Sequence, residues 1–331
     1  MATFDPAPGS FAAFDATDAL LIGPHNRLTR NGIVFNDRSQ LECFWVDDFT
    51  GFDAPDINVA AVDNVQEAGE TPDPGFHKGR TMAMTGWVQA GSYPQLLRMG
   101  RALLDSVMDL VEMPMTISVA DFGYFTQPPV TINCRLADRP QLATKIEQSD
   151  QTGLLRWNFT IALRASDPTY KGTTLKHVEL EPAIIAIPGR PYDRVYDLTY
   201  SELMDVAGNV VEDTDPNTLV VENLGNWRAS IILRATGAMG SVTVLNETTG
   251  QAMYFTNIAA GDFIEVNTHP SAGTVRDQNG QLQSSLLDAR SDWITLRPVR
   301  PGFNGSNRLI LFVESYESGS KLEVWSRDTW I

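Results

Sequence analysis

The sequence predicts a mainly β protein, with an α+β N-terminal domain that contains one main helix and a C-terminal antiparallel β-sandwich of the jelly-roll or galectin-like type. Three observations carry this prediction. Only one segment has the 3.6-residue period of an amphipathic helix, many short runs alternate with a period of two, and turn-forming residues separate these runs. At 331 residues the chain is long enough for two domains. We place them at residues 1–172 and 218–331, joined by a linker at residues 173–217.

The N-terminal domain opens with an arm of about 35 residues that is rich in Pro, Gly, Asp and Asn. We expect at most one short strand in this arm, around Ala19–Ile22. Short apolar runs of β character follow, and because a helix does not come after each of them, the pattern argues against a doubly wound parallel sheet. The predicted strands are Leu41–Phe49, Ile57–Val65, Arg80–Ala90, Met115–Asp121, Thr131–Leu136 and Leu154–Ala165.

A single amphipathic helix is predicted over Tyr93–Leu110. Ser92 can serve as its N-cap, Pro94 fits the first turn, and Pro114 bounds the segment. Apolar side chains recur at three- and four-residue spacing, and we interpret this stripe as core packing rather than as a cofactor site. The stripe consists of Leu96, Met99, Leu103, Val107 and Leu110.

Residues Gln66–Gly79 are dense in residues that break regular structure, including Pro72, Pro74 and Gly75. A loop of this length inside a compact domain tends to protrude or to have a function. We predict that Phe76, near its tip, inserts into a pocket of a neighbouring subunit, because an anchor of this kind explains an aromatic ring there better than exposure to water does. The alternative is a surface loop that folds over its own domain.

The linker segment, Lys171–Asn217, is expected to hold one or two strands of its own. After it the pattern becomes all-β, with a strong hairpin signal at Asn279-Gly280. Eight or nine short strands at this spacing indicate a sandwich of the jelly-roll kind. The predicted strands are Leu219–Asn223, Ser230–Ala235, Ser241–Asn246, Ala252–Ile258, Asp262–Asn267, Gly273–Asp277, Ser291–Leu296, Arg308–Glu314 and Lys321–Arg327.

No motif with catalytic or metal-binding spacing is found in the sequence. The four histidines, His25, His77, His177 and His269, stand in separate stretches, and HExxH, CxxC, GxSxG, GxGxxG and the P-loop are absent. The segment from Asp213 opens like a calcium loop but lacks its glycine and its final glutamate. We therefore expect no catalytic site, no cofactor-binding residues and no metal ligands.

The net charge and the lengths of the apolar runs argue against two kinds of partner, nucleic acids and membranes. Asp and Glu number 41 against 25 Lys and Arg, and the net charge of −16 argues against stable nucleic-acid binding, although DNA can pass such a surface without adhering. A signal peptide and an apolar run long enough for a membrane span are lacking, so we expect synthesis in the cytoplasm and no membrane association. Cys43 and Cys134 are expected to be reduced core residues, and a disulfide between them is the alternative.

Five aromatic residues of the C-terminal domain are candidates for a sugar-binding surface, since exposed rings can stack on sugars. The ordinary interpretation is that most of them pack in the sandwich core or in an interface. They are Trp227, Tyr254, Trp293, Trp325 and Trp330.

Three stretches of the chain resemble one family in their number and order. The first joins Arg80-Thr-Met-Ala-Met-Thr-Gly-Trp-Val to the helix and ends on Trp157-Asn-Phe-Thr-Ile-Ala-Leu-Arg-Ala-Ser-Asp-Pro-Thr-Tyr; the second is Gly189-Arg-Pro-Tyr-Asp-Arg-Val-Tyr. The third combines Val220-Val-Glu-Asn-Leu-Gly-Asn-Trp, Asn246-Glu-Thr-Thr-Gly, Ala260-Gly-Asp-Phe-Ile-Glu-Val-Asn-Thr and Trp293-Ile-Thr-Leu-Arg-Pro-Val-Arg-Pro-Gly-Phe-Asn. From about Leu28 to the C-terminus the chain resembles the distal tail (Dit) proteins of siphophages, often called minor tail proteins in phages of actinobacteria. An insertion around Val299-Arg300 departs from the family pattern and lengthens one turn.

The resemblance implies a non-catalytic structural protein of the virion. It would form a ring of six subunits at the tail tip and connect the tail tube, the tape measure protein and the tail-tip hub of the baseplate. In some relatives the outer domain looks like a galectin or a carbohydrate-binding module, so a host glycan is an optional ligand of the C-terminal domain. The competing class is a freestanding carbohydrate-binding protein or accessory module, which the mass of the particle in solution distinguishes from a ring.

Overall fold

A computed structural model describes residues 27–37, 40, 42–51, 54–58, 61–63, 70–72, 76–108, 110–118, 128–148, 153–183, 217–270 and 273–331. The chain divides into two units. The N-terminal unit ends at Thr173 and takes in the last two residues, Trp330 and Ile331, whereas the C-terminal unit spans Thr174–Thr329.

The first part of the chain forms many short strands and one helix. Its elements are β1 (Arg27–Arg30), β2 (Ile33–Phe35), β3 (Cys43–Thr50), β4 (Ile57–Asn58), β5 (Ala61–Asp63), β6 (Glu70–Pro72), β7 (Phe76–His77), β8 (Arg80–Ala90), α1 (Tyr93–Val107), β9 (Met113–Ser118), β10 (Val130–Leu136), β11 (Gln141–Gln148), β12 (Leu155–Ala165) and β13 (Tyr170–Gly172).

The remaining strands follow in the second part of the chain. They are β14 (Lys176–Leu180), β15 (Thr218–Glu222), β16 (Ala229–Thr236), β17 (Met239–Asn246), β18 (Gln251–Phe255), β19 (Phe263–Asn267), β20 (Thr274–Asp277), β21 (Thr295–Leu296), β22 (Ser306–Tyr316), β23 (Lys321–Ser326) and β24 (Thr329–Trp330), with a short 3₁₀ turn at Ser284–Leu286.

Seven strands of the N-terminal unit close into a barrel. Their order is β12-β8-β3-β2-β1-β9-β10, and β10 pairs back onto β12. Neighbouring strands are antiparallel except for β2 and β3, which pair in parallel at Phe35 and Phe44. The two longest strands, β8 and β12, are in register over all eleven residue pairs, from Arg80 opposite Ala165 to Ala90 opposite Leu155. β11, β13 and β24 extend the sheet beyond the closed ring.

The barrel interior is filled by alternate residues of its strands, as the period of two requires. Met82, Met84 and Val88 of β8 and Ile161 and Leu163 of β12 are buried in one cluster. The helix adds its apolar face to this cluster through Leu96, Leu103 and Val107, each fully buried.

Close packing of α1 on β12 depends on a residue without a side chain. A Cβ atom at Gly100 would lie 2.6 Å from the indole ring of Trp157. That ring is itself fixed, because its Nε1 donates a hydrogen bond to the carbonyl oxygen of Ala143 at 2.7 Å. A side chain at position 100 would therefore have to displace the indole and disturb this hydrogen bond.

A guanidinium group lies in the barrel interior. Arg30 is fully buried, and its Nη1 donates to the carbonyl oxygens of Met113 and Cys134 at 3.3 and 2.9 Å and contacts the Cys134 sulfur at 2.9 Å. These bonds tie β1 to β9 and β10. Cys43 and Cys134 are unpaired thiols and buried, as predicted, and the alternative of a disulfide between them is wrong.

The C-terminal unit consists of two antiparallel sheets around one apolar core. One sheet has the order β14-β23-β16-β19-β20, with β21 pairing onto β16, and the other has the order β15-β22-β17-β18. Residues from both sheets meet in the core, among them Val221, Leu233, Val244, Val266 and Leu309. Gly280, in the predicted Asn279-Gly280 turn, adopts φ +73°, a conformation that glycine favours.

The predicted fold class is wrong, although the mainly β character is present. The N-terminal unit, predicted as an α+β domain with one main helix, is a closed barrel, because β10 and β12 join the two ends of the sheet. The two C-terminal sheets, of six and four strands, do not show a jelly-roll or galectin-like sandwich. The sequence supplied strand positions, whereas long-range pairing decides whether a sheet closes and how strands divide between sheets.

Several individual predictions also need correction. β1 and β2 lie in the N-terminal arm, where at most one short strand was predicted, around Ala19–Ile22, and β11 was not predicted. The helix ends at Val107, so Leu110 does not pack in the core but is 81% exposed. The strand expected around Ala19–Ile22, most of the linker and the acidic segment at Asp213 lie outside the described residues. Within the described part, no helix combines the length and apolarity needed to cross a membrane.

Replacing Gly100 by valine should destabilise the N-terminal unit by about 1–3 kcal/mol, because the new side chain collides with Trp157 in a core that cannot expand freely. Urea unfolding followed by circular dichroism measures this loss. The matched control is Arg101→Val, which puts the same residue at an exposed position of the same helix. Equal unfolding midpoints for the two variants would show that Trp157 moves aside without cost.

Alkaline pH should destabilise the protein through Cys134. Burial raises the pKa of this thiol from 9.0 to about 11, against the opposing effect of Arg30. The unfolded chain therefore releases this proton first, and stability is lost between pH 9 and 11 by on the order of 3 kcal/mol. Urea unfolding over this range should give a flatter pH dependence for Cys134→Ala than for the wild-type chain. Parallel curves would contradict the assignment.

Candidate interaction surfaces

The segment between β3 and β8, which we call the hairpin arm, forms two short antiparallel ladders where we predicted one strand, Ile57–Val65, followed by an irregular loop. β4 pairs with β7 and β5 pairs with β6, both antiparallel, and the backbone N–H of Lys78 donates to the carbonyl of Asp56 at 2.7 Å. The predicted loop Gln66–Gly79 thus contains two strands, while residues 66–69 and 73–75 lie outside the described part. Phe76 belongs to β7, and its side chain is also outside that part.

The described residues of the arm pair over a short length only. Its two ladders have only two and three residue pairs, with a one-residue shift in register between them. An isolated two-stranded ribbon is marginally stable in water at best. Ile57, at the base of the arm, is 58% exposed. A ribbon of this kind gains order when it lies against another surface.

A second surface lies on the outer wall of the barrel, where β3, β8 and β12 run side by side. Trp45 and Trp87 stand directly opposite each other, with ring centroids 5.9 Å apart. The Arg156 guanidinium lies 4.9 Å from the Trp87 ring centre, and its Nε donates to the side-chain oxygen of Gln89 at 3.0 Å. These residues, with Cys43 and others, line a pocket of about 280 Å³.

Tryptophan and arginine in this arrangement have two physical roles. A cross-strand aromatic pair stabilises the β3–β8 ladder, and this role requires no partner. The same residue types are also the commonest anchors of protein–protein interfaces. The sequence placed Trp45 and Trp87 on strands but could not place them beside each other or beside Arg156.

Apolar side chains form a third surface where α1 ends. Met108, Leu110 and Val111 are 56%, 81% and 71% exposed, although they follow each other almost directly in the chain. Three large apolar residues exposed within four positions are a feature of contact surfaces rather than of solvated loops.

The five aromatic candidates for sugar binding have different surroundings. Trp325 is buried and stacks on the His177 ring at 4.8 Å, and Trp330 packs against the barrel core. Trp227 and Tyr254 are half-buried, whereas Trp293 is 46% exposed. Within the described part of the chain, no ring contact joins two of the five.

The outer face of the four-stranded sheet combines an aromatic ring with polar groups. Phe312, which is 51% exposed, lies opposite Thr243, and Thr243 lies opposite Tyr254 on the next strand. The Arg290 guanidinium lies 5.1 Å from the centre of the Tyr254 ring and forms two hydrogen bonds to the carboxylate of Asp288. Phe312 was not among the sequence candidates, since strand alternation alone does not tell which face of a sheet is covered.

The histidines do not meet in the described part of the chain. His25 lies outside it, whereas His177 lies beside Glu179 and Glu323 on the larger sheet, with potential ligand atoms within 4.8 Å of one another. The expectation of no metal ligands rested on local spacing. It could not take account of Glu323, which is distant in sequence and adjacent only through the β14–β23 pairing.

No protein-family model matches the chain, and no curated protein matches it in sequence. Among solved structures, the chain is similar to the Dit protein of phage SPP1, described as a paradigm of the hub adsorption apparatus in phages that infect Gram-positive bacteria. The two share 13% identity and a TM-score of 0.56, over 93% of this chain and 100% of the other. A component of the phage P2 baseplate in its activated conformation with Ca has 9% identity and a TM-score of 0.43, over 92% and 98% of the chains. The chain therefore has the fold of the SPP1 Dit protein.

Proposed function

We propose that this chain is a structural protein of a bacteriophage virion, namely a distal tail protein at the tail tip of a long-tailed phage. The observation that carries the proposal is the likeness in fold to the SPP1 Dit protein, which extends over nearly the whole of both chains. Two of the three sequence stretches that resemble distal tail proteins also support it, and they lie on β8, α1 and β12 and on strands and turns of the C-terminal unit. The stretch that begins at Gly189 lies outside the described residues.

In this proposal the N-terminal domain, residues 1–172, forms a ring of six with other copies, and the arm of one subunit lies on the body of the next. The marginal ladders of the arm and the exposed Ile57 support this contact. Contacts of arm on body are heterologous, and such contacts generate a ring when the rotation between subunits closes. The C-terminal domain, residues 218–331, follows the linker.

The ring would connect the tail tube and the tape measure protein to the tail-tip hub, without catalysis. A net charge of −16 suits a wall that DNA passes without adhering. The surface formed by Trp45, Trp87 and Arg156 and the apolar residues after α1 offer contact areas of the kind that such neighbours would cover.

Deletion of Glu70–His77 should leave a folded chain that no longer assembles, because the returning strands of the arm, β6 and β7, are lost while the barrel strands remain. Ile57→Asp should weaken assembly in the same direction, since a charge at this position opposes burial in an interface. Size-exclusion chromatography with light scattering measures the particle mass, and circular dichroism confirms folding.

The matched control is Leu282→Asp, a charge at an equally exposed apolar residue of the C-terminal unit, which should leave the particle mass unchanged. Full-sized rings from the deletion variant would refute the role of the arm. An intact protein that is a single copy inside assembled tails would refute the ring.

A second candidate function is binding of a host glycan by the C-terminal domain. It is favoured by the outer face of the four-stranded sheet, where Phe312 and Tyr254 lie with Arg290 and Asp288. Aromatic faces beside groups that form hydrogen bonds are suited to sugar rings. Binding of cell-wall polysaccharide from a host strain, measured by calorimetry, should disappear in Phe312→Ala and persist in the control Trp293→Ala. Unchanged binding in Phe312→Ala would exclude this face.

A further inference from the structure

Two carboxylates oppose each other on the larger sheet of the C-terminal unit. Glu179 of β14 and Glu323 of β23 are a directly paired cross-strand pair. Like charges directly opposite on one sheet face are destabilising. The free-energy cost of this repulsion is larger here because Glu323 is only 8% exposed and therefore poorly solvated. A positive charge nearby lowers that cost.

An imidazole completes the cluster. His177 lies two residues before Glu179 and therefore on the same face of β14. Its Nε2 is 3.5 Å from a Glu323 carboxylate oxygen, too long for a strong hydrogen bond. The ring orientation is set by stacking on Trp325, with the two planes 13° apart. One potential ligand atom from each of the three residues lies within 4.8 Å of the others.

The cluster already holds a positive charge. The Lys321 ammonium lies 2.9 Å from Glu323 and 3.4 Å from Glu179, and these carboxylates raise the pKa of this lysine. The ammonium is shared by the two carboxylates, and Arg234 of β16, which forms an ion pair with Glu265, stands directly opposite Glu323 on the other side. A metal ion in the place of the ammonium could take lone pairs from both carboxylates and from Nε2 of His177 at once.

We propose that His177, Glu179 and Glu323 bind a Zn²⁺ ion, with the flexible Lys321 side chain turning out into water. One imidazole nitrogen and two carboxylate oxygens form a ligand set that suits Zn²⁺, and a water would take the fourth position. Calcium and magnesium prefer oxygen ligands throughout, so they should compete poorly. The metal would join the edge strand β14 to β23. This inference does not depend on the proposed function.

Zinc titration of the full chain by isothermal calorimetry at pH 7.5 tests the proposal. The wild-type chain should bind one Zn²⁺, and His177→Ala should weaken binding by at least about tenfold, the loss that even outer partners of metal ligands cause. Lys321→Met should bind Zn²⁺ more tightly than the wild-type chain, because the competing ammonium is gone. The matched control is His269→Ala, which should bind like the wild type.

Urea unfolding of each variant without zinc checks that the variant is folded, so that a loss of zinc binding reports the loss of a ligand. No one-to-one binding in the wild-type chain, equal affinities of His177→Ala and His269→Ala, or weaker binding in Lys321→Met would overturn the proposal.

Discussion

The N-terminal unit depends on the short pairing that closes its barrel. Only two residue pairs, Arg135 with Arg164 and Leu136 with Leu163, join β10 to β12. β12 is also paired along its whole length with β8, and this pairing fixes the position of the residues that pair with β10. Closure satisfies the backbone groups that a sheet edge would otherwise leave unpaired.

Closure also decides which parts of the chain are available for contact. The link between β3 and β8 leaves the barrel as a hairpin whose strands pair only with each other in the described part of the chain. Inside, Arg30 bonds to carbonyl groups near the ends of β9 and β10 and so strengthens the same side of the ring. The bonds from Nη1 to two carbonyl oxygens offset part of the cost of burying this charge, while Nε and Nη2 have no hydrogen-bond partner among the described residues.

In the C-terminal unit, buried asparagine side chains form hydrogen bonds to the backbone of irregular segments, where no strand pairing provides them. Asn223 is fully buried, donates to the carbonyl of Trp227 at 2.8 Å and accepts from the N–H of Thr329 at 3.2 Å. Asn307 binds both the N–H and the carbonyl of Arg297. The motif that contains Asn223 includes Gly225, where a Cβ atom would lie 1.8 Å from the Thr329 carbonyl oxygen. Hydrogen bonding and close packing thus explain why this motif has asparagine and glycine at these two positions.

The sequence by itself determined the positions of most strands and of the helix. The reason is that apolar residues recur at every second position in a strand and every three or four positions in a helix, and this spacing is visible without a structure. Arg80–Ala90 is a strand at the predicted bounds, and the helix begins at Tyr93 as expected. Tertiary structure alone decided that β10 meets β12, that the segment after Gln66 pairs into an arm, and that His177 lies beside Glu323. Each of these joins residues that are not neighbours in the chain, and the free energy of such a pairing depends on the packing of everything between them.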